Sequence, residues 1–226
     1  IVVQSMTTTN TCDIQSTIEQ IHQLENAGCE IVRVAVPTKE DAQALPQIKA
    51  ATHIPIIADI HFDHRLALAA AEIVDCVRIN PGNIGSRTKL KEVVKAVEAR
   101  GIPLRVGVNA GSLERELLQK YGYPTAEAMV ESAITHVKVI EDFGFTNMKV
   151  SLKASDVHLA VDAYRLFSEA LDYPVHLGIT EAGTSLTGTI KSSVGLGLLL
   201  AAGIGDTLRV SLAADPCEEV RVGFEI

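Results

Sequence analysis

Paired cysteines are missing from this sequence. Its four cysteines, Cys12, Cys29, Cys76 and Cys217, form no CxxC motif, and their spacing matches neither a zinc site nor an iron–sulfur site. A disulfide framework is equally unsupported, so free thiols in a reducing compartment are the simplest interpretation. We therefore assign no metal ligand to this chain.

Long apolar runs and an excess of positive charge are also lacking. No run reaches the roughly 18 residues of a membrane span, and the opening residues lack the pattern of a signal peptide. The formal net charge is -8 and the pI is about 5.4. We therefore expect neither a membrane nor nucleic acid as a partner.

Short β-rich runs alternate with amphipathic helical stretches along almost all of the 226 residues. Eight strands are predicted, at 2–5, 31–36, 56–60, 76–80, 104–109, 148–153, 175–180 and 207–212. Eight strands, each followed by a helix, is the count of a TIM (β/α)8 barrel. A doubly wound sheet is the alternative, but "QSMTTTNT" after the first strand lacks the usual glycine-rich turn. The sequence therefore predicts an α/β TIM barrel over residues 1–226.

Both ends of the sequence resemble interior positions of a longer chain. Ile1-Val2-Val3 opens in an apolar run without a starting methionine. Phe224-Glu225-Ile226 closes inside a predicted helix without a stop signal. We expect a piece of a longer protein, with its last helix truncated.

Polar side chains recur where the predicted strands end, which is where TIM barrels carry their active sites. They are Arg33, Asp59, His61, Arg78, Asn80, Arg105, Asn109, Lys153, Glu181, Arg209 and Ser211. Side chains alternate along a strand, so Arg78 shares a face with Asn80, and Arg105 with Asn109. Four arginines converging inside one barrel would repel each other unless an anion lay among them. Guanidinium groups match phosphate oxygens well, so we predict a strongly anionic ligand, most simply a diphosphate.

Other interpretations of these residues remain open. The arginines could face outward or pair with Asp59 and Glu181. Asp59 and His61 could bind a metal, although no second histidine falls at a strand end, and we favour hydrogen bonds to a ligand. Lys153 could form a Schiff base or simply contact phosphate. Glu181 could be an acid–base group or half of a salt bridge. "NPGN" and "NAGS" are predicted as tight turns.

Eight long motifs resemble, in order, the barrel domain of the 4-hydroxy-3-methylbut-2-enyl diphosphate synthase family. They are "VQSMTTT", "IVRVAVP", "ADIHFD", "RINPGNIG", "RVGVNAGSLE", "KVSLKASD", "HLGITEAG" and "KSSVGLGLLLAAGIGDTLRVSLAADP". The resemblance implies an oxidoreductase of the non-mevalonate isoprenoid pathway. Such an enzyme reductively opens and dehydrates 2-C-methyl-D-erythritol 2,4-cyclodiphosphate.

The resemblance also implies a 4Fe-4S cluster, held by three cysteines and a glutamate of a separate C-terminal domain. It implies a homodimer, an external electron donor such as flavodoxin or ferredoxin, and a location in the bacterial cytoplasm or the plastid stroma. The four cysteines here do not match the cluster ligands. We therefore expect the cluster domain to be absent from this chain, which would bind substrate without turning it over.

The positions that match the family's substrate contacts are Arg33, His61, Arg78, Asn80, Arg105, Asn109, Lys153, Arg209 and Ser211. Asp59 belongs with them as a hydrogen-bonding group, and Glu181 matches a candidate catalytic glutamate. Two alternatives remain at this point. One is a class I aldolase-like lyase that uses Lys153, and the other is a non-catalytic anion-binding barrel.

Overall fold

Eight parallel strands alternate with helices in the computed structural model, which describes all of residues 1–226. The strands are β1 (Val2–Met6), β2 (Ile31–Ala35), β3 (Ile56–Ile60), β4 (Cys76–Ile79), β5 (Leu104–Asn109), β6 (Met148–Lys153), β7 (His176–Leu177) and β8 (Thr207–Leu208). The helices are α1 (Ile14–Asn26), α2 (Lys39–Ala50), α3 (His64–Ala71), α4 (Pro81–Ile84), α5 (Arg87–Arg100), α6 (Arg115–Tyr121), α7 (Ala126–Glu141), α8 (Val157–Ala170), α9 (Ser185–Ala201) and α10 (Pro216–Glu225). The predicted TIM barrel is confirmed.

The strands follow each other in chain order from β1 to β6, and β8 and then β7 continue the sheet on the other side of β1. The barrel closes between β6 and β7 through two isolated bridges, Val150 to Val175 and Ala154 to Ile179. Between these bridges the Tyr164 hydroxyl of α8 accepts the Leu152 N–H and donates to the His176 carbonyl. A side chain thus replaces direct strand pairing at this seam.

Side chains just before three of the helices cap their first turns. Asp13, Thr125 and Asp215 each accept a backbone N–H in the first turn of α1, α7 and α10, respectively. These caps satisfy donors that have no partner within the helix. Residues close together in the sequence therefore determine where these helices begin.

The predictions differ from the structure in the last two strands and in two turns. β7 and β8 have two residues each, shorter than predicted. At β7 the Tyr164 hydroxyl interrupts the ladder with β6. "NPGN" opens the short helix α4, with Asn80 as its N-cap, and "NAGS" opens a 3-10 turn, Ala110–Ser112. Both segments nevertheless turn the chain away at the ends of β4 and β5.

The barrel interior is apolar near the helices but polar along its axis. One continuous cluster of buried apolar side chains joins the strands to the surrounding helices. Gln4, Arg105, Ser151 and His176 are also buried, and they fill the strand interior with hydrogen-bonding groups. None of the helices combines the length and apolar character needed to cross a membrane.

Candidate anion-binding site

A cavity of about 520 Å³ opens at the carboxyl ends of the strands. Its walls contain seven of the predicted site residues: Arg33, Asp59, His61, Arg78, Asn109, Lys153 and Glu181. The other lining residues are Met6, Ala110, Gly111, Ser112, Ala154, Ser155 and Thr180. A somewhat larger surface cavity, about 620 Å³, lies between the first turns of α2 and α3. We place the candidate site in the first cavity because the buried charges converge there.

Asp59 forms the centre of a buried charge cluster in this cavity. Its Oδ1 accepts a hydrogen bond of 2.7 Å from Arg78 Nη1, and its Oδ2 lies 3.4 Å from Arg33 Nε. Burial opposes ionisation of Asp59, but Arg33, the His61 hydrogen bond and Arg78 outweigh it and hold its pKa well below the ordinary value. Asp59 is therefore a carboxylate that holds two arginines side by side.

The cluster carries more positive charge than Asp59 can balance. Arg33, Arg78, Arg105 and Lys153 surround this single carboxylate, and buried Arg33 Nη1 and Arg78 Nε have no hydrogen-bond partner. Burial, followed by repulsion from Arg33, Arg105 and Arg78, brings the pKa of Lys153 well below its ordinary value. Unpaired buried donors carry a desolvation penalty, and an anion in the adjoining cavity would balance the surplus positive charge.

Arg105 lies in the barrel axis beneath the cavity rather than in its wall. It is fully buried, its Nε donates to Ser151 Oγ over 3.4 Å, and Nη1 lies 3.5 Å from Gln4 Oε1. No carboxylate forms a salt bridge with it, and Nη2 has no partner. Burial and the charges of Arg33 and Arg78 lower its pKa well below the ordinary value. Its position adds positive potential to the floor of the site.

Arg209 is held by a partner that the sequence did not reveal. Glu219 of α10 is 2% exposed and accepts from Arg209 Nε at 3.0 Å and Nη2 at 2.8 Å. Glu219 also accepts from Ser5 Oγ and the Leu212 N–H. This carboxylate therefore ties β8 to β1 and α10. Neither Arg209 nor Ser211 lines the cavity.

Asn80 and Asn109 occupy different places although both end a strand. Asn109 lines the cavity. The Asn80 side chain caps α4, accepting the Gly82 N–H at 3.1 Å, and its Nδ2 donates to Ser112 Oγ at 3.3 Å. Asn80 therefore positions Ser112, which lines the cavity. The predicted contact between Asn80 and substrate stays a prediction.

Glu181 has a strained backbone in the cavity wall. Its φ of 51° is positive, and no other residue except glycine has a positive φ. Non-glycine residues in this region store strain of about 1–3 kcal/mol, and such outliers concentrate at functional sites. Glu181 is exposed, and it lines the cavity next to Thr180.

Met6 and Gly107 contribute to the site and were missed by the sequence analysis. The Met6 sulfur accepts from Arg33 Nε at 3.2 Å and Nη2 at 3.0 Å. A Cβ at Gly107 would lie 2.6 Å from Arg78 Nε and Nη2, so only glycine leaves room for this guanidinium. The signal for Gly107 was its place between Arg105 and Asn109 on one face of β5.

The chain's cysteines do not form a cluster site. Among all 226 residues, the only group of three His, Cys, Asp or Glu ligand atoms within 4.8 Å is His22, Glu25 and His53. Cys29 and Cys76 are buried, and Cys12 is exposed. The residues present therefore do not fit a 4Fe-4S cluster, which needs thiolate ligands close together.

The fold and the charges define a TIM-barrel domain with a cationic cavity at the carboxyl ends of its strands, which is where such barrels carry their sites. The chain belongs, more specifically, to the GcpE TIM-barrel domain family, whose family model matches residues 1–224. The resemblance seen in the sequence motifs is thereby confirmed.

Two curated relatives carry the name 4-hydroxy-3-methylbut-2-en-1-yl diphosphate synthase (flavodoxin). The Geobacillus kaustophilus protein is 60% identical over 227 residues, and the match covers 100% of this chain. The Geobacter sulfurreducens protein is 63% identical over 225 residues and covers 99% of it. The chain spans only 61% and 64% of the length of these relatives, respectively.

Solved structures share the fold at low sequence identity. A dihydropteroate synthase from Stenotrophomonas maltophilia superposes with a TM-score of 0.69 at 14% identity, covering 99% of this chain and 91% of that one. A phospho-2-dehydro-3-deoxyheptonate aldolase from Thermotoga maritima gives 0.61 at 10% identity, covering 92% of this chain and 57% of that one. At such identities the likeness supports the barrel fold alone.

Proposed function

We propose that this chain is the substrate-binding barrel of a 4-hydroxy-3-methylbut-2-enyl diphosphate synthase, an oxidoreductase of the non-mevalonate isoprenoid pathway. The observation that carries the proposal is the convergence of three cations, Arg33, Arg78 and Lys153, around the Asp59 carboxylate in one cavity. The names of relatives about 60% identical support the same assignment. The substrate would be 2-C-methyl-D-erythritol 2,4-cyclodiphosphate.

The buried cations would hold the diphosphate group of this substrate. Arg33 and Arg78 present fixed guanidinium groups, oriented by Asp59, and Lys153 adds a third cation in the same wall. Because Asp59 already fixes the arginines, little side-chain entropy is lost on binding. An anion also relieves the repulsion that lowers the pKa of Lys153. Burial, followed by this repulsion, accounts for the lowered pKa of Lys153 without any Schiff-base role.

Glu181 would act at the reacting carbon skeleton. Its side chain lies in the cavity wall on the side of β7, whereas Arg33 and Arg78 come from β2 and β4. In the proposed reaction two electrons open the cyclic diphosphate at a carbon–oxygen bond, and a hydroxyl group leaves as water. Glu181 would transfer a proton to that leaving oxygen.

The redox group of this reaction is assigned outside residues 1–226. The chain brings no three cysteines together, so a 4Fe-4S cluster would take its ligands from a C-terminal domain. The relatives' printed names include flavodoxin, which would be the electron donor. Because both of these relatives are bacterial, we place the enzyme in the bacterial cytoplasm.

An apolar stripe on α9 supports a homodimer as part of the proposal. Leu186, Ile190, Val194 and Leu198 recur every four residues and are 71%, 56%, 52% and 45% exposed. A stripe on one helix can pack against its own copy across a two-fold axis. Val194→Asp would then shift the dimer toward monomer in sedimentation, whereas Phe224→Asp on α10 would not. An unchanged dimer in Val194→Asp would rule out this interface.

Calorimetry with the cyclic diphosphate tests the substrate assignment. Arg78→Ala is expected to weaken binding by about 1.5–3 kcal/mol, roughly 10- to 150-fold, through a lost charged interaction. Arg105→Ala removes a charge from beneath the cavity without a direct contact, so it is expected to weaken binding by less. Arg65→Ala is the matched control because Arg65 is exposed and pairs only with Asp63. Unchanged affinity in both test variants would contradict the site.

Turnover measurements test whether the redox group lies outside this chain. The isolated chain should bind substrate but leave it unchanged with an added reductant, whereas the full-length enzyme should convert it. Turnover by the isolated chain would overturn the assignment of the redox group to another domain.

A further inference from the structure

Three metal-ligating side chains meet at the end of the barrel opposite the cavity. His22 and Glu25 lie in the last two turns of α1, and His53 lies in the loop between α2 and β3. One ligand atom from each lies within 4.8 Å of the other two. This loop leads into the amino end of β3, whereas the cavity opens at the carboxyl ends of the strands. The cluster is therefore separate from the anion-binding site.

Glu25 is fixed in place by the loop that carries His53. Its Oε1 accepts the backbone N–H groups of His53 at 2.7 Å and Ile54 at 3.3 Å. Its Oε2 lies 3.2 Å from His53 Nδ1, and the side chain is only 15% exposed. Two backbone donors therefore hold one carboxylate oxygen and leave the other facing the histidines.

His22 is fixed against the same loop. Its Nε2 lies 2.8 Å from the Ala51 carbonyl oxygen, and its ring centroid is 6.3 Å from that of His53. A backbone carbonyl against one ring nitrogen is the support that metal-binding histidines commonly have. Ligands bonded at about 2.0–2.1 Å in a tetrahedron lie about 3.3 Å apart, so Glu25 and His53 already fit. The 86% exposed His53 can swing to complete the site.

The donor set and its surroundings favour a divalent transition metal. Two imidazoles and one carboxylate suit Zn²⁺, whereas Mg²⁺ and Ca²⁺ prefer oxygen ligands. The helices α1 and α2 both end beside the cluster, at Asn26 and Ala50. Helix carboxyl ends carry partial negative charge, which favours a cation.

We propose that His22, Glu25 and His53 form a Zn²⁺ site that ties the end of α1 to the loop before β3. The ion would cross-link the first βα unit to the second and stabilise the barrel. It takes no part in chemistry at the cavity, so the inference stands independently of the proposed function.

Zinc titration of the purified chain in a Cys12→Ser background tests this site, since the substitution removes the exposed thiol. Wild-type protein should bind one Zn²⁺, show the visible absorption of tetrahedral Co²⁺, and unfold at a higher temperature with zinc than with a chelator. His22→Ala and His53→Ala should each weaken Zn²⁺ binding about tenfold or more, and remove the thermal shift. His158→Ala is the matched control, because His158 is exposed and outside the cluster.

Equal zinc affinity in wild type, His22→Ala and His53→Ala would overturn the proposal. Absence of a thermal shift in the wild type would overturn it as well. If the His22→Ala protein unfolds, the zinc affinity of the His53→Ala protein alone tests the proposal. His53 is an exposed loop residue, so its substitution leaves α1 intact.

Discussion

Replacing Gly107 with alanine would place a methyl carbon against the guanidinium of Arg78. The new Cβ would lie 2.6 Å from Nε and Nη2 and 3.0 Å from Cζ. To reach an ordinary contact of 3.4 Å, the guanidinium must move by about 0.8 Å. Arg78 is 2% exposed and bonded to Asp59 over 2.7 Å, so a shift of this size would disturb that alignment.

The expected size of the Gly107→Ala effect follows from the contacts that the substitution would disturb. Overpacking a buried site costs about 1–3 kcal/mol, and a hydrogen bond to a charged group contributes about 1.5–3 kcal/mol. We therefore expect Gly107→Ala to lower the free energy of unfolding by about 1–3 kcal/mol. Affinity for the cyclic diphosphate should fall by about tenfold or more, since Arg78 would no longer face the ligand correctly.

Urea denaturation and calorimetry measure the two effects of Gly107→Ala. Gly197→Ala is the matched control, because Gly197 lies on α9 outside the cavity and a Cβ there meets nothing within 4 Å. In an Arg78→Ala background the Gly107 substitution should become nearly neutral, since the clashing group is gone. If Gly107→Ala retained wild-type stability and affinity, or if its effect persisted without Arg78, the steric argument would be refuted.

Two further predictions concern the cavity wall. Lys153→Met should raise the free energy of unfolding by about 1–2 kcal/mol while weakening diphosphate binding, because it removes a desolvated cation beside three arginines. Because folding lowers the pKa of Lys153, this gain in the free energy of unfolding should shrink as the pH rises toward 10.5. Urea denaturation that shows the same gain at every pH would contradict the prediction. Glu181→Gly should stabilise the protein by about 0.5–1 kcal/mol, since glycine tolerates the φ of 51°, yet reduce turnover of the full-length enzyme. Glu181→Ala, which keeps the strain, should lose turnover without that gain in thermal stability, and equal stability of the two variants would exclude a strained Glu181.

The barrel could be predicted from the sequence because its signals are local. Alternating strands and helices, and the caps at Asp13, Thr125 and Asp215, depend on residues close together in the chain. The position of polar residues at strand ends was equally visible. Parallel strands in a barrel necessarily bring such ends together, so a cationic cavity was predictable without coordinates.

Pairing among those polar residues depended on contacts between distant parts of the chain. Arg209 looked equivalent to Arg78, but Glu219 of α10 turns inward and binds it. Arg105 has the same strand context, yet it points down the barrel axis toward Gln4, far away in sequence. Alternation along a strand gives the face of a side chain but not its depth in the barrel.

The sequence by itself determined the order of βα units and the face on which the cationic cavity forms, because periodicity and capping act over a few residues. Only the tertiary structure decided that Asp59 sits between Arg33 and Arg78, that Gly107 makes room for Arg78, and that Glu181 adopts a positive φ. It also brought His53 to His22 and Glu25. Such arrangements depend on packing between strands and helices that lie far apart in the chain, and no local pattern encodes that packing.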